Sequence, residues 1–66
     1  MKRLAINGEE RHLHADTLVA LLAELQLPES LVLVELNGVA LLRSEWTDRR
    51  LCDGDKIEIL QVSAGG

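Results

Sequence analysis

The 66-residue sequence predicts an α+β domain in which one main helix packs on a mixed sheet of four to five strands. Two Asn-Gly pairs, Asn7-Gly8 and Asn37-Gly38, each lie between short strand-forming segments. An Asn-Gly pair in this setting is the strongest local signal for a β-hairpin, because both central positions of the tight turn need positive φ. A helical leucine pattern separates the two hairpins, and a further apolar segment follows them.

The first hairpin is predicted to place its second strand at an edge of the sheet. Its strands cover residues 2–6 and 9–14, with Leu4 and Ile6 facing the core. The second strand is largely polar and carries Arg11, His12 and His14. Charged and polar side chains on an edge strand discourage pairing with other chains.

The helix between the hairpins has start and stop signals. Asp16 or Thr17 supplies an N-cap oxygen, and Pro28 ends the helix because the residue before a proline is pushed out of helical angles. Leucines recur at the period of one helix face, at Leu18, Leu21, Leu22 and Leu25. We expect this stripe to be core rather than a partner-binding surface, since no other long helix covers the sheet.

The second hairpin follows the same pattern. Its strands cover residues 31–36 and 39–42, and an irregular or briefly helical segment follows over residues 43–48. Trp46 in that segment is interpreted as a lid over the open end of the core, with an interface role as the second interpretation.

The last strand, residues 56–62, is predicted to lie in the middle of the sheet. Ile57 and Ile59 lie on one face and Leu60 and Val62 on the other, as for a central strand. The helical crossover allows parallel pairing with the first strand. We therefore expect a domain over residues 1–62 that presents a flexible tail, residues 63–66.

Composition argues against several functional classes. The net charge of −4, from 7 basic and 11 acidic residues, disfavours nucleic-acid binding, which needs clustered basic side chains. A single cysteine and the absence of a long apolar segment predict a cytoplasmic chain without membrane contact. A chain of this size has little room for a deep substrate pocket, so we expect a part that works docked to larger proteins rather than an enzyme.

Some residues suggest other sites. His12 and His14 lie two apart on a strand face, but two ligands fall short of a zinc site, so we predict no metal and interpret them as solvated edge residues. Cys52 is interpreted as a buried or half-buried structural cysteine, because no histidine lies near it in sequence. Asp53 and Asp55 fit turn chemistry better than a Ca²⁺ loop.

The candidate for the working group is the α-carboxylate of Gly66. Gly65 and Gly66 carry no side chain, so this ending fits a narrow channel. A terminal carboxylate has a reference pKa of about 3.5 and is ionised at neutral pH. In that state it is a poor electrophile and needs activation before anything is joined to it.

The whole chain resembles the ubiquitin-like β-grasp sulfur carriers, specifically the ThiS-type carriers of thiamine biosynthesis. The Asp-Gly-Asp sequence at a fixed distance from the Gly-Gly ending is the most specific part. The matching segments are Asn7-Gly8, Thr17-Leu18 with Leu21-Leu22, residues 35–38, residues 43–46, residues 51–59 and residues 62–66.

The resemblance implies a chemistry on Gly66. An E1-like enzyme uses ATP and Mg²⁺ to join the carboxylate to AMP, and persulfide sulfur from a cysteine desulfurase displaces AMP to leave a thiocarboxylate. Thiazole synthase then receives the sulfur. Gly65, Ala64 and Ser63 lead into both partner active sites, and the carrier itself supplies no catalytic residue and binds no cofactor.

Three alternatives stay open. The first is the small subunit of molybdopterin synthase, a related sulfur carrier with the same ending, although those chains are usually longer. The second is a ubiquitin-like modifier joined through Gly66 to lysines, and the third is a plain interaction domain.

Docking is expected to use an apolar patch on the sheet face away from the helix. Val34, Leu60 and Val62 are the candidates, because a carrier must present a surface to its partners. The acidic net charge predicts basic rims on those partners.

Overall fold

The computed structural model describes residues 1–62, and the predicted tail, residues 63–66, lies outside this range. The described chain forms one sheet, one α-helix and two short 3-10 turns. In chain order the elements are β1 (Lys2–Ile6), β2 (Glu9–Leu13), α1 (Leu18–Glu24), a 3-10 turn (Glu29–Leu31), β3 (Val32–Leu36), β4 (Val39–Leu41), a second 3-10 turn (Arg43–Glu45) and β5 (Lys56–Gln61). This is the predicted α+β class.

The five-stranded sheet has the order β2-β1-β5-β3-β4. Strand β5 pairs parallel with β1 and antiparallel with β3, which confirms its predicted central position. Strand β2 is an edge, as its polar sequence predicts. Because α1 connects β2 to β3 across one face, the first and last strands meet side by side although they lie at opposite ends of the sequence.

Both hairpin turns also hold the central strand. Asn7 and Asn37 each have φ of 52°, the left-handed conformation that an Asn-Gly turn requires. The Asn7 side chain accepts from the Ile59 amide at 2.7 Å and donates to the Ile59 carbonyl at 3.1 Å. The Asn37 side chain accepts from the Lys56 amide at 2.9 Å. Each turn therefore extends the pairing of β5 beyond the regular ladder.

Helix α1 begins as the sequence predicts and ends earlier than predicted. The Thr17 hydroxyl accepts from the Ala20 amide at 3.2 Å as N-cap. The helix stops at Glu24, and Gln26 takes a positive φ of 59°. The amide of Leu27 then donates to the Leu22 carbonyl at 2.8 Å, the bond that closes a Schellman motif. This motif, rather than Pro28, terminates the helix.

The core lies between α1 and the inner face of the sheet. Trp46 is 2% exposed and closes the core as the predicted lid, although its Nε1 has no hydrogen-bond partner among the described residues. No buried residue of the described chain is polar or charged. The core consists of Leu4, Ile6, Leu13, Ala15, Leu18, Leu21, Leu22, Val32, Val34, Leu36, Leu41, Trp46, Leu51, Ile57 and Ile59.

Strand β3 alternates strictly between the two faces of the sheet. Val32, Val34 and Leu36 are buried, whereas Leu33 and Glu35 are exposed. The prediction that Val34 belongs to an exposed patch is therefore wrong, because Val34 is 2% exposed and packs in the core. The exposed apolar residue of this strand is its neighbour Leu33.

Polar groups tie the β2–α1 connection to the rest of the fold. The Glu24 carboxylate accepts from the amides of His14 and Ala15 at 2.9–3.1 Å. Lys2 pairs with Asp16, and this hydrogen bond and charge hold the pKa of the Asp16 carboxyl below its usual value. The Asp16 carbonyl accepts from the Leu51 amide at 2.8 Å, which fixes the connection against the segment before β5.

The turn before β5 exposes Cys52, so the prediction of a buried or half-buried cysteine is wrong. The Cys52 amide donates to Asp55 Oδ2 at 2.8 Å, and the Arg3 amide donates to Asp53 Oδ1 at 2.6 Å. These aspartates satisfy backbone amides around Gly54, as expected of a turn. The Cys52 side chain is exposed because the contacts that hold the turn join backbone amides to carboxylates and do not involve the thiol.

We predict that Asn7→Gly lowers the free energy of unfolding by about 1–2 kcal/mol, measured by urea denaturation. Glycine keeps the positive φ but removes both side-chain hydrogen bonds to Ile59. As the companion variant, Asn7→Ala should cost about 1 kcal/mol more, since alanine is strained at positive φ. Wild-type stability for Asn7→Gly would contradict the role given to these two bonds.

A second pair of variants tests which face of β3 is buried and which is exposed. Val34→Ala should lower the free energy of unfolding by about 2 kcal/mol, because it leaves a cavity in the core. Leu33→Ala should change it by no more than about 0.5 kcal/mol, because Leu33 is already exposed to solvent. Equal costs for the two variants would show that the assignment of faces is incorrect.

Candidate functional site

Strand β5 delivers the chain to the candidate carrier site from the centre of the sheet. Its last residue is Gln61, and the amide of Val62 donates to the Leu31 carbonyl at 2.7 Å. The chain is therefore held by backbone bonds up to residue 62. The predicted covalent site, Gly66, and the residues that lead to it, Ser63, Ala64 and Gly65, lie outside the described residues, so their roles stay predictions.

The sheet face away from α1, here called the outer face, carries apolar side chains beside this exit. Leu33 on β3 and Leu60 on β5 are directly opposite each other and are 58% and 63% exposed. Val62 follows on the same side of the chain as Leu60 and is 44% exposed. Leu60 and Val62 are thus accessible, as the interface prediction requires, and their contact with a partner stays a prediction.

Leu33 is the residue that the sequence-based choice of Val34 missed. Side chains along a strand alternate between faces, so Leu33 must share a face with the charged residue Glu35. Leu42, just after β4, is also exposed, and the β3–β4 register continued by one residue places it beside Leu33. We call Leu33, Leu42, Leu60 and Val62 the apolar patch.

Two carboxylates border the apolar patch on the outer face. Glu35 on β3 and Glu58 on β5 form the next cross-strand pair after Leu33 and Leu60 with the same orientation. Both are exposed. The ion pairs of the described residues join other partners, Lys2 with Asp16 and Arg43 with Glu29. The outer face therefore combines an apolar pair with an acidic pair at the centre of the sheet.

Among residues 1–62, no group of three or more His, Cys, Asp or Glu side chains is arranged to hold a metal ion. His12 and His14 are both exposed, one on β2 and the other just after it. Within the same described range, no helix has the length and apolar character that crossing a membrane requires.

The arrangement places the exit from β5 beside the exposed apolar patch.

Comparison with known proteins gives a consistent result. The model of the ThiS family matches residues 4–66. The sulfur carrier protein ThiS of Thermus thermophilus is 41% identical over 61 residues, which cover 92% of this chain and 95% of that protein. A thiazole synthase of Paramagnetospirillum magneticum is 42% identical over 65 residues, or 97% of this chain. The chain spans only 20% of the length of that synthase.

Solved structures support the same relationship. The crystal structure of the thiamine biosynthesis protein ThiS from Geobacter metallireducens superimposes with a TM-score of 0.81 at 32% identity, covering 97% of this chain and 99% of that chain. The solution structure of a thiamine biosynthesis protein from the same organism gives 0.79 at 31% identity, with 97% and 87% covered. The predicted ubiquitin-like β-grasp fold is confirmed. The chain belongs to the ThiS family, the sulfur carriers of thiamine biosynthesis.

Proposed function

We propose that this chain carries sulfur as a thiocarboxylate on Gly66 and donates it to form the thiazole ring of thiamine. The observation that carries the proposal is the match of the ThiS family model over residues 4–66, which includes the Gly-Gly sequence. The Thermus carrier, similar over 92% of this chain, supports it. The family match and the similar ThiS and thiazole synthase proteins favour the thiazole pathway over the molybdopterin alternative.

The proposed chemistry begins with activation of the carboxylate. An E1-like enzyme with ATP and Mg²⁺ forms an acyl adenylate and releases pyrophosphate, which gives the carbonyl carbon a good leaving group. A persulfide on a sulfur donor, loaded by a cysteine desulfurase, attacks that carbon and AMP leaves. Thiol cleavage of the new S–S bond then releases the thiocarboxylate. The carrier is a co-substrate in each step and binds no cofactor of its own.

This chain's own residues contribute position rather than catalysis. The end of β5 is paired with β3, and the Val62 amide bonds to the Leu31 carbonyl, so the exit at Val62 is fixed relative to the outer face. A partner that grips the apolar patch can direct Ser63, Ala64, Gly65 and Gly66 into its active site. Small tail residues suit that role because they pass through a narrow channel. We place this exchange between proteins in the cytoplasm.

Thiazole synthase is the proposed acceptor. In the Paramagnetospirillum thiazole synthase, a segment similar to this chain makes up about one fifth of the protein. A carrier-like segment within a synthase supports the same pairing between separate chains here. The four side chains of the apolar patch are 44–70% exposed, so they are accessible to such a contact.

Intact-protein mass spectrometry tests the proposal directly. Incubation with ATP, Mg²⁺, an E1-like activating enzyme and a persulfide donor should replace one oxygen by sulfur, mapped to Gly66. Gly66→Ala should fold normally but load at least about tenfold more slowly, because an added methyl group crowds the channel. Attachment to a lysine instead would indicate a protein modifier. Wild-type loading of Gly66→Ala would contradict the proposed passage of the tail through a narrow channel.

The role of the apolar patch is tested by Leu60→Asp. We expect it to weaken loading or delivery about tenfold or more, because a buried contact would receive an unpaired charge. Val39→Asp is the matched control, since Val39 is also exposed but pairs with the core residue Leu36 at the far end of the hairpin. Equal effects of the two substitutions, or none for Leu60→Asp, would rule out the patch as the docking surface.

A further inference from the structure

The pair Glu35 and Glu58 is unusual for its place in the sheet. The two residues are directly opposite on antiparallel strands, a geometry in which Cβ atoms lie about 4.5–5.5 Å apart. Like charges in that position destabilise a sheet. The free domain therefore holds a repulsion at the centre of its outer face.

No basic side chain of the described residues forms an ion pair with Glu35 or Glu58. Lys56 lies on the same face, two residues before Glu58, and lines a depression with both carboxylates without pairing with either. The described ion pairs lie elsewhere, at Asp16 and Glu29. The two carboxylates remain available to an external cation.

The acidic pair is continuous with the apolar patch and with the chain exit. Leu33 and Leu60 form the neighbouring cross-strand pair on the same face, and a shallow depression is lined in part by these four side chains and Ala40. Val62 carries the chain from Leu60 toward the tail. A protein that docks over Leu33 and Leu60 therefore lies next to the two carboxylates.

We propose, on the basis of the proposed function, that Glu35 and Glu58 together bind one arginine or lysine side chain of thiazole synthase when the apolar patch docks. A single cation between two carboxylates relieves their repulsion and gains two charge-assisted hydrogen bonds. Apolar contact at Leu33 and Leu60 supplies burial, while the acidic pair sets register and orientation. A second copy of this chain is a poor occupant, because its own acidic pair would face these carboxylates.

Removing one of these charges should raise the stability of the free carrier and lower its affinity for thiazole synthase. Glu35→Gln and Glu58→Gln each remove the repulsion, so the urea midpoint of the free carrier should rise. The same variants should bind thiazole synthase about fivefold more weakly at about 50 mM salt, and the double variant about tenfold more weakly. At about 300 mM salt these differences should shrink, because exposed charges are screened.

The experiment measures urea midpoints and, by isothermal titration calorimetry, the Kd for purified thiazole synthase at both salt concentrations. Glu9→Gln on the edge strand β2 is the matched control, since it makes the same change in net charge away from this face. Its Kd should match that of the wild type.

Each contrary result has a distinct meaning. Wild-type affinity and salt dependence in the double variant would overturn the inference, as would an equal loss in Glu9→Gln. Unchanged urea midpoints would show that Glu35 and Glu58 do not repel each other measurably, which would overturn the premise of the inference. A concentration-dependent heat of dilution of the carrier that the double variant loses, the sign of a dimer through this face, would overturn the assignment to the synthase. Failure of the wild type to bind the synthase at all would overturn the proposed function as well.

Discussion

The position of β5 between β1 and β3 is the constraint on which the rest of the structure depends. Strand β5 pairs with β3 from Ile57 to Gln61 and with β1 at Lys56 and Ile57, and its side chains separate into one set for the core and one for the outer face. Ile57 and Ile59 pack under α1, whereas Glu58 and Leu60 face outward. The two Asn-Gly turns reinforce this arrangement from opposite sides, because Asn7 and Asn37 each hydrogen-bond to the β5 backbone.

One short helix covers one face of the sheet, and this has a functional result. Helix α1 spans only Leu18–Glu24, and its leucines bury the inner face. Nothing among the described residues covers the outer face, so its apolar and acidic side chains are exposed. The core and the proposed docking surface are thus the two sides of the same five strands.

Most of the fold could be predicted from the sequence, because its signals are local and agree with one another. The Asn-Gly turns, the leucine period and the alternation in β5 each specify an element, and the parallel pairing follows from the helical crossover. The choice of Val34 was wrong because the hydrophobic composition of β3 hides its alternation, which only Glu35 reveals. The end of the helix at Glu24 was missed because Gln26, the left-handed residue that follows it, has no sequence signature comparable to that of glycine. Cys52 was misplaced because turn residues follow no hydrophobic period.

The central strand is also the last strand of the described chain, which has a consequence for synthesis. Until residues 56–61 have left the ribosome, β1 and β3 have no partner between them, and the hairpins cannot form one sheet. Contacts between distant parts of a sequence are slow to form and are completed together. The nascent chain therefore lacks a complete sheet until β5 is available, so an enzyme that recognises the finished sheet surface would not bind it before that point.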